Sequence, residues 1–190
     1  MNRAVIIHGI FSKKEYFERA ADSPSNSHWF PWLQQQLLRR GLLAQTPEMP
    51  SPYEPDYDKW KKELDRLSPD NNTLLVGHSC GGGFLIRWLC ENPEINVGKV
   101  VLVAPWLDVE KRLENFFDFN INKNIDRQTK FGIKVIYSNN DMPEIKSSVD
   151  KLRKETTSLI YYEFDNFGHF TFNDMKTHEF PELMKICLGD

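Results

Sequence analysis

The sequence predicts an α/β protein: a three-layer α/β/α sandwich with a mostly parallel sheet of about six strands. Short β-branched runs, most of them apolar on both faces, alternate along the whole chain with stretches of helical periodicity. Strands buried on both faces are typical of parallel sheets, and their alternation with helices indicates helices on both sides of the sheet. The length of 190 residues suits one domain, and we expect residues 1–190 to form it.

The pattern of apolar residues sets the expected position of each element. Strands are expected at residues 4–8, 73–77, 99–104, 133–138 and 158–164, with a weaker one at 42–46. Helices are expected from Trp29 to a stop at Gly41, around Trp60 and Leu64, at 84–89, around Ile145 and Leu152, and at 181–188. Residues 106–131 are a candidate flap or cap segment that holds a further helix.

Charge and cysteine content exclude several classes of protein. The net charge is −3, from 24 basic and 27 acidic residues, so electrostatics gives no reason to expect a nucleic acid or an anionic membrane as partner. The three cysteines lack C-x-x-C spacing, which argues against a disulfide framework and a structural zinc site. The first apolar run is too short for a signal peptide, and no stretch is long enough to span a membrane. We therefore expect a cytoplasmic protein and, with no cofactor site in view, a monomer.

The stretch "GHSCG" at residues 77–81 carries the strongest indication of chemistry. It follows an expected strand, precedes an expected helix and matches the nucleophile elbow G-x-S-x-G. In that turn Ser79 would project its hydroxyl above the sheet edge, while side chains at Gly77 and Gly81 would clash. The N–H of Cys80, at the start of the helix, could then bind an oxyanion. The alternative is a glycine-rich turn without chemistry.

A nucleophilic serine needs a base, and the base needs an orienting carboxylate. Asp141 and His169 each follow an expected strand, so both are predicted to lie at the carboxyl edge of the sheet, where open α/β sheets bind ligands. The order Ser79, Asp141, His169 is the usual order for this motif. Asp165, four residues before His169, is the alternative acid. No pair of histidines has the spacing of a zinc protease, so no metal is expected.

A second oxyanion donor is expected from the loop after the first strand. Gly9 lets the backbone turn in close, and the N–H of Ile10 is the predicted donor. We interpret His8 as a core histidine that fixes this loop by hydrogen bonds, with direct catalysis as the alternative. Cys80 is expected to contribute its backbone N–H while its thiol mainly packs.

Several segments together resemble a known family. They are "VIIHG" near the start, "HWFPWL" at 28–33, the proline-rich stretch within 39–64, "LVGHSCGGGFLIRWL" at 75–89, "VIYSNND" and "FGHF". They resemble the α/β-hydrolase fold, and more closely the compact serine hydrolases related to retinoblastoma-binding protein nine and its bacterial relatives. The resemblance covers nearly the whole chain. It implies a reduced α/β hydrolase without the two leading strands of larger members, and it puts the triad at Ser79, Asp141 and His169.

The chain departs from the family pattern in two places. Residues 11–27 are longer and more charged than the short glycine-rich loop that we expect there. The chain also lacks an L-x-C-x-E motif, so a retinoblastoma pocket protein is not expected as a partner.

Aromatic residues are the candidates for the pocket wall. Trp106, Phe116 and Phe117 follow the fourth strand, and they either line an apolar acyl pocket or form core under a flap. His28 and Trp29 begin the first long helix, and they either pack on the sheet or line the pocket mouth.

These patterns predict a cofactor-free serine hydrolase that cleaves carboxylic esters or small amides through an acyl-enzyme on Ser79. An esterase is favoured because an alkoxide leaves more readily than an amine. The alternatives are a non-catalytic binding protein on a hydrolase scaffold, a peptidase of small substrates and an acyltransferase.

Overall fold

The computed structural model describes residues 1–189 and contains one six-stranded sheet in that part of the chain. The strands are β1 Arg3–Ile7, β2 Leu43–Gln45, β3 Thr73–His78, β4 Lys99–Val103, β5 Ile133–Ser138 and β6 Ile160–Phe164. Their order in the sheet is β2-β1-β3-β4-β5-β6, and every neighbouring pair is parallel. All six predicted strands are confirmed.

Within residues 1–189, seven α-helices connect and flank the strands. They are α1 Lys13–Tyr16, α2 Phe30–Arg39, α3 Tyr57–Arg66, α4 Cys80–Glu91, α5 Pro143–Glu155, α6 Phe172–Met175 and α7 Pro181–Leu188. The five longer helices were predicted and are confirmed. The single-turn helices α1 and α6 were not predicted, because one turn carries no apolar periodicity. No helix within residues 1–189 is both long and apolar enough to cross a membrane.

The helices cover both faces of the sheet, which confirms the predicted α/β/α sandwich. Because crossovers between parallel strands are right-handed as a rule, the connection from β1 to β2 puts α2 on one face, where it contacts α7. The chain then moves through the sheet in the opposite direction, so α3, α4 and α5 lie on the other face. There, Trp60 of α3 and Phe84 of α4 pack edge to face with ring centroids 5.5 Å apart. The central strands β3 and β4 are buried along their whole length.

The segment 106–131 differs from the prediction. It contains no α-helix, and its only regular element is a 3₁₀ turn at Ile125–Gln128. Phe116 is 1% exposed and packs edge to face against Trp60, with centroids 5.2 Å apart. The aromatic residues of this segment led us to expect a helix. In the structure they form an irregular layer that covers α3 and α4, and this packing explains their apolar character without a helix.

The sheet order reverses between β1 and β3. The chain leaves β1 towards β2 on one side and continues from β3 towards β6 on the other. Such a topological switch opens a crevice at the carboxyl ends of the two strands. Gly9 follows β1 and Ser79 follows β3, so the two predicted elements of the site meet at this crevice.

Candidate active site

Ser79 lies on the sharp turn between β3 and α4. Its backbone has φ 55° and ψ −123°, a strained conformation for a residue with a side chain. Its N–H donates to the carbonyl of Val103 (2.9 Å), which anchors the turn to β4. The two glycines are required by close approach, since a Cβ on Gly77 would lie 2.7 Å from the carbonyl oxygen of Gly81. Strain and close packing together hold the hydroxyl at the crevice.

The structure brings Ser79, His169 and Asp141 together. The Nε2 atom of His169 is 3.0 Å from the Oγ of Ser79, and its Nδ1 is 3.0 Å and 3.2 Å from the two carboxylate oxygens of Asp141. Because a carboxylate accepts, Nδ1 carries the proton, and Nε2 is left to accept from the serine hydroxyl. The Asp141 side chain is fully buried and that of His169 is 17% exposed.

The alternative acid, Asp165, has a different partner. Its Oδ1 accepts a hydrogen bond from the Nδ2 of Asn139 at 2.7 Å. Asp141, by contrast, directs both carboxylate oxygens at His169, and one of them also accepts from the N–H of Met142 (2.7 Å). The geometry therefore favours Asp141 as the partner of the histidine.

The predicted oxyanion donors flank the serine. A Cβ on Gly9 would lie 3.0 Å from the Cβ of Ser79, so the backbone after β1 passes directly beside Ser79. Within the described residues, the N–H groups of Ile10 and Cys80 donate to no protein acceptor. Both are therefore available to a substrate oxygen.

His8 fixes the loop after β1 through hydrogen bonds of both ring nitrogens. Its Nδ1–H donates to the carbonyl of Gly9 (2.6 Å), and its Nε2 accepts from the N–H of Met49 (2.8 Å). Burial lowers the pKa of His8, with opposing contributions from its bond to Gly9 and from Glu48, so the ring is neutral. The neutral tautomer provides both hydrogen bonds at once.

His78 has a role that the sequence did not reveal. Its Nε2–H donates to the backbone carbonyl of His169 (2.8 Å), and the two imidazole centroids are 4.9 Å apart. Burial, and then the proximity of His169 and His28, lowers the pKa of His78 well below the usual value. His78 thus braces the loop that carries His169. The contact spans 91 positions of the chain, and no local pattern could have predicted it.

Asp174 braces the same loop from the other side. Its Oδ2 accepts from the N–H of His169 (3.0 Å) and from the hydroxyl of Thr171 (2.7 Å), within the capping box of α6. The T-x-x-D spacing is a sequence signal that could have identified this cap.

A cavity of about 200 Å³ opens onto the serine. Its lining residues are Gly9, Ile10, Phe11, Glu15, His28, His78, Ser79, His169, Thr171 and Asn173. Of the predicted pocket residues, it includes His28 but none of the tryptophans or phenylalanines proposed for the wall.

The other predicted wall residues lie elsewhere. Trp29 is fully buried and donates from Nε1 to the carbonyl of Phe170 (3.1 Å), so it packs rather than lining the cavity. Phe116 belongs to the core described above. Trp106 and Phe117 pack edge to face with centroids 5.7 Å apart, and both contact the position of Gly83. Trp106 and Phe116 are therefore buried in the core, and Phe117 is partly buried and packs against it.

His28 is held in an unusual conformation at the cavity. Its φ is 55°, and its ring stacks on Phe11 with centroids 6.2 Å apart. Its Nδ1 accepts from the N–H of Phe172 (3.3 Å), while its carbonyl accepts from the Nδ1 of His178 (2.6 Å). Burial, reinforced by the proximity of His169, lowers the pKa of His28 to about 4. The ring is therefore neutral near neutral pH.

Among the described residues, no three His, Cys, Asp or Glu side chains are grouped so that they could hold a metal ion. Cys80 is fully buried, and burial, together with the proximity of Asp108, raises the pKa of its thiol well above the usual value. The thiol stays protonated and packs in the core.

The chain is similar to known proteins in sequence and in fold. YdeN of Bacillus subtilis (strain 168), named as a candidate hydrolase, is 29% identical over 171 residues, which is 84% of this chain and 86% of YdeN. The solved structure of the ydeN gene product superposes with a TM-score of 0.79 at 26% identity, covering 100% of this chain and 98% of that one.

More distant structures share the fold. A monoacylglycerol lipase of Paleococcus ferrophilus superposes with a TM-score of 0.62 at 15% identity, covering 98% of this chain and 92% of the lipase. Est1E of Butyrivibrio proteoclasticus superposes with a TM-score of 0.60 at 12% identity, covering 100% of this chain and 90% of Est1E. The family model described as "Serine hydrolase" matches residues 21–185, most of the chain. The chain therefore belongs to the serine hydrolase family.

Proposed function

We propose that this serine hydrolase cleaves carboxylic esters through an acyl-enzyme on Ser79. The observation that carries the proposal is the hydrogen-bonded series from Ser79 Oγ to His169 Nε2 (3.0 Å) and from His169 Nδ1 to Asp141 (3.0 Å). This is the arrangement in which an imidazole can take the proton of an attacking hydroxyl.

In the first half of the reaction, the Oγ of Ser79 forms a bond to the ester carbonyl carbon. The hydroxyl proton passes to Nε2 of His169, and the carboxylate of Asp141 stabilises the imidazolium. The carbonyl oxygen becomes an oxyanion that accepts from the N–H groups of Ile10 and Cys80. The bond to the alcohol oxygen then breaks, and His169 gives its proton to the leaving alkoxide.

In the second half, water takes the place of the alcohol. It gives a proton to Nε2 of His169 as its oxygen attacks the acyl carbon. When the bond to Ser79 breaks, His169 returns the proton to the serine oxygen. The products are one alcohol and one carboxylic acid, and the enzyme regains its starting state.

An ester is favoured over an amide because an alkoxide leaves with less assistance than an amine. A small amide or peptide, or an acceptor other than water, would use the same acyl-enzyme, and these remain the alternatives within the enzyme class. The small cavity at Ser79, about 200 Å³, favours compact acyl groups. The resemblance in fold to a monoacylglycerol lipase is consistent with ester cleavage.

The proposal is tested by labelling with a fluorophosphonate and by turnover of p-nitrophenyl acetate and butyrate. Wild type should be labelled, and Ser79→Ala should lose the label and at least about 10³-fold in kcat. Ser158→Ala, at an exposed serine, is the matched control and should behave like wild type. If well-folded wild type is neither labelled nor active, the binding-protein alternative replaces the esterase.

We further propose that the chain works as a monomer in a reducing compartment. Cys80, Cys90 and Cys187 are all free thiols, and free thiols are typical of reducing compartments. Light scattering at several concentrations tests the monomer, and a dimer mass would contradict it.

A further inference from the structure

The charged side chains that line the cavity at Ser79 are acidic and not basic. Its lining contains one acidic side chain on its wall, that of Glu15, and no lysine or arginine. The lining imidazoles of His28 and His78 are held neutral by the burial described above. The cavity therefore presents a negative potential to a substrate.

Glu15 is fixed in place by the first turn of α1. One carboxylate oxygen, Oε2, accepts from both the N–H (2.9 Å) and the hydroxyl (2.6 Å) of Ser12. The N–H of Glu15 donates back to the Ser12 hydroxyl (3.2 Å), which completes a capping box. The other oxygen accepts no hydrogen bond within the described residues. The bonds from the Ser12 side chain and backbone lower the pKa of Glu15, so the carboxylate is ionised at neutral pH. One oxygen is thus held and the other is free for a ligand.

The neighbouring charges leave this carboxylate available. The Nζ of Lys13, on the same helical turn, lies 5.7 Å from the ring centroid of Tyr53, and no salt bridge joins it to Glu15. Two further carboxylates contact the lining residue His169: Asp141 accepts from its Nδ1 (3.0 Å) and Asp174 from its backbone N–H (3.0 Å). They add to the negative potential but are occupied by protein donors.

We propose that Glu15 selects ester substrates that carry a positively charged group, such as a substituted ammonium, near the scissile bond. The inference rests on the proposed ester hydrolysis at Ser79. A cation beside the free oxygen of Glu15 gains Coulomb energy, and an anionic substrate is repelled. Glu15 belongs to residues 11–27, the segment in which this chain departs from the pattern of the compact family, so the preference is a property of this chain.

Isosteric substrate pairs test the inference. One pair is acetylthiocholine and its neutral analogue, in which a tert-butyl group replaces the trimethylammonium group of the alcohol part. The other pair is the p-nitrophenyl ester of trimethylglycine and its tert-butyl analogue, which place the charge in the acyl part. The measured quantity is the ratio of kcat/KM for the charged ester to kcat/KM for the neutral one. Comparing enzyme variants cancels the intrinsic reactivity of each ester.

The variant is Glu15→Gln, which removes the charge and retains the capping bonds, since glutamine also completes a capping box. We expect the ratio to fall roughly two- to five-fold in at least one pair, the size expected for a partly exposed charge pair. In wild type the ratio should also fall as salt is added, because salt screens the attraction. The matched control is Glu18→Gln, three residues away. Glu18 is exposed, as Glu15 is, but it lies outside the cavity lining, so this variant should keep the wild-type ratio.

The outcomes separate this inference from the proposed function. If a fluorophosphonate labels Ser79 and both variants keep the wild-type ratio in both pairs, the charge preference is overturned and the esterase stands. A fall of equal size in Glu15→Gln and Glu18→Gln would also overturn it, because the effect would then be one of net charge. If Ser79 is not labelled, the proposed function fails and the inference fails with it.

Discussion

At the scale of single residues, the site depends on which nitrogen of each histidine carries the proton. His8 and His169 each donate from Nδ1, to the carbonyl of Gly9 and to Asp141, whereas His78 donates from Nε2 to the carbonyl of His169. Each partner can only accept, so each tautomer is fixed by its surroundings. The consequence is that Nε2 of His169 is held ready to accept the proton of Ser79.

Replacing Asp141 should therefore impair the chemistry rather than substrate binding. In Asp141→Asn the amide can donate to Nδ1, which favours the wrong tautomer of His169, and we expect kcat for p-nitrophenyl acetate to fall by about 10²–10⁴. KM should change little. Asp165→Asn is the matched control, since Asp165 pairs with Asn139, and it should keep most of the activity. Equal losses in the two variants would contradict the assignment of Asp141.

The meeting of Ser79, Asp141 and His169 at one edge of the sheet could be predicted from sequence, because the elbow motif fixes the position of the serine and the order of the strands limits the positions of the other two. Glu15 and the bracing contact of His78 could not. Glu15 is brought to the cavity by the path of residues 11–27, and the partner of His78 is 91 positions away. Periodicity and motifs describe neighbours in the chain, whereas these contacts arise from packing between loops.

At the scale of elements, the turns after β5 and β6 are linked by polar side chains. The Oδ1 of Asn140 accepts from the N–H of Gly168 (2.8 Å), and the Oγ of Ser138 accepts from the N–H of Phe167 (3.0 Å). Asn139 makes a third link by accepting from the N–H of Asn166 (3.0 Å). These bonds fix the loop of Asp141 against the loop of His169, so the geometry of the pair depends on them.

Asn140→Ala should loosen this connection without touching the reacting groups. We expect kcat to fall by roughly 10-fold, because small displacements of reacting groups are costly, and stability to fall by about 1 kcal/mol. Asn140→Asp keeps an acceptor for the N–H of Gly168 and should recover part of the lost kcat. The measurements are ester kinetics and urea unfolding. A variant that loses stability but keeps full kcat would show that the link only supports the fold.

The same scale shows where sequence prediction of the fold succeeds and fails. The six strands and five longer helices follow from periodicity, because each must bury one face or both. The turn of α6 is defined by the T-x-x-D cap of Thr171 and Asp174 rather than by apolar spacing. In residues 106–131 the apolar residues cover helices without any regular spacing. The sequence alone therefore cannot distinguish a pocket residue from a core residue there, and Phe116 lies in the core.

At the scale of the whole molecule, the buried histidines link stability to pH. Burial is the main cause of the lowered pKa of His8, His28 and His78 in the folded protein. In the unfolded chain these rings return to an ordinary pKa near 6.5. Below about pH 6.5 the unfolded state therefore binds more protons than the folded state does, and protonation favours unfolding. The contribution of the neutral rings to the free energy of unfolding is complete above that pH. For His28, whose pKa in the folded protein is about 4, this contribution is lost as the pH falls from about 6.5 towards 4.

We expect the free energy of unfolding, measured with urea, to fall as the pH is lowered from about 6.5 to about 5, with His28 contributing about 1–2 kcal/mol. The variant His28→Asn isolates the contribution of His28 to the pH dependence of the free energy of unfolding. Asparagine tolerates the positive φ of 55° at this position, and its Oδ1 can accept from the N–H of Phe172 as the ring does, but it does not titrate. The slope of unfolding free energy against pH should therefore be shallower in His28→Asn than in wild type. Carboxylates that titrate lower in the pH range affect both proteins alike, so identical slopes would show that His28 does not carry the effect.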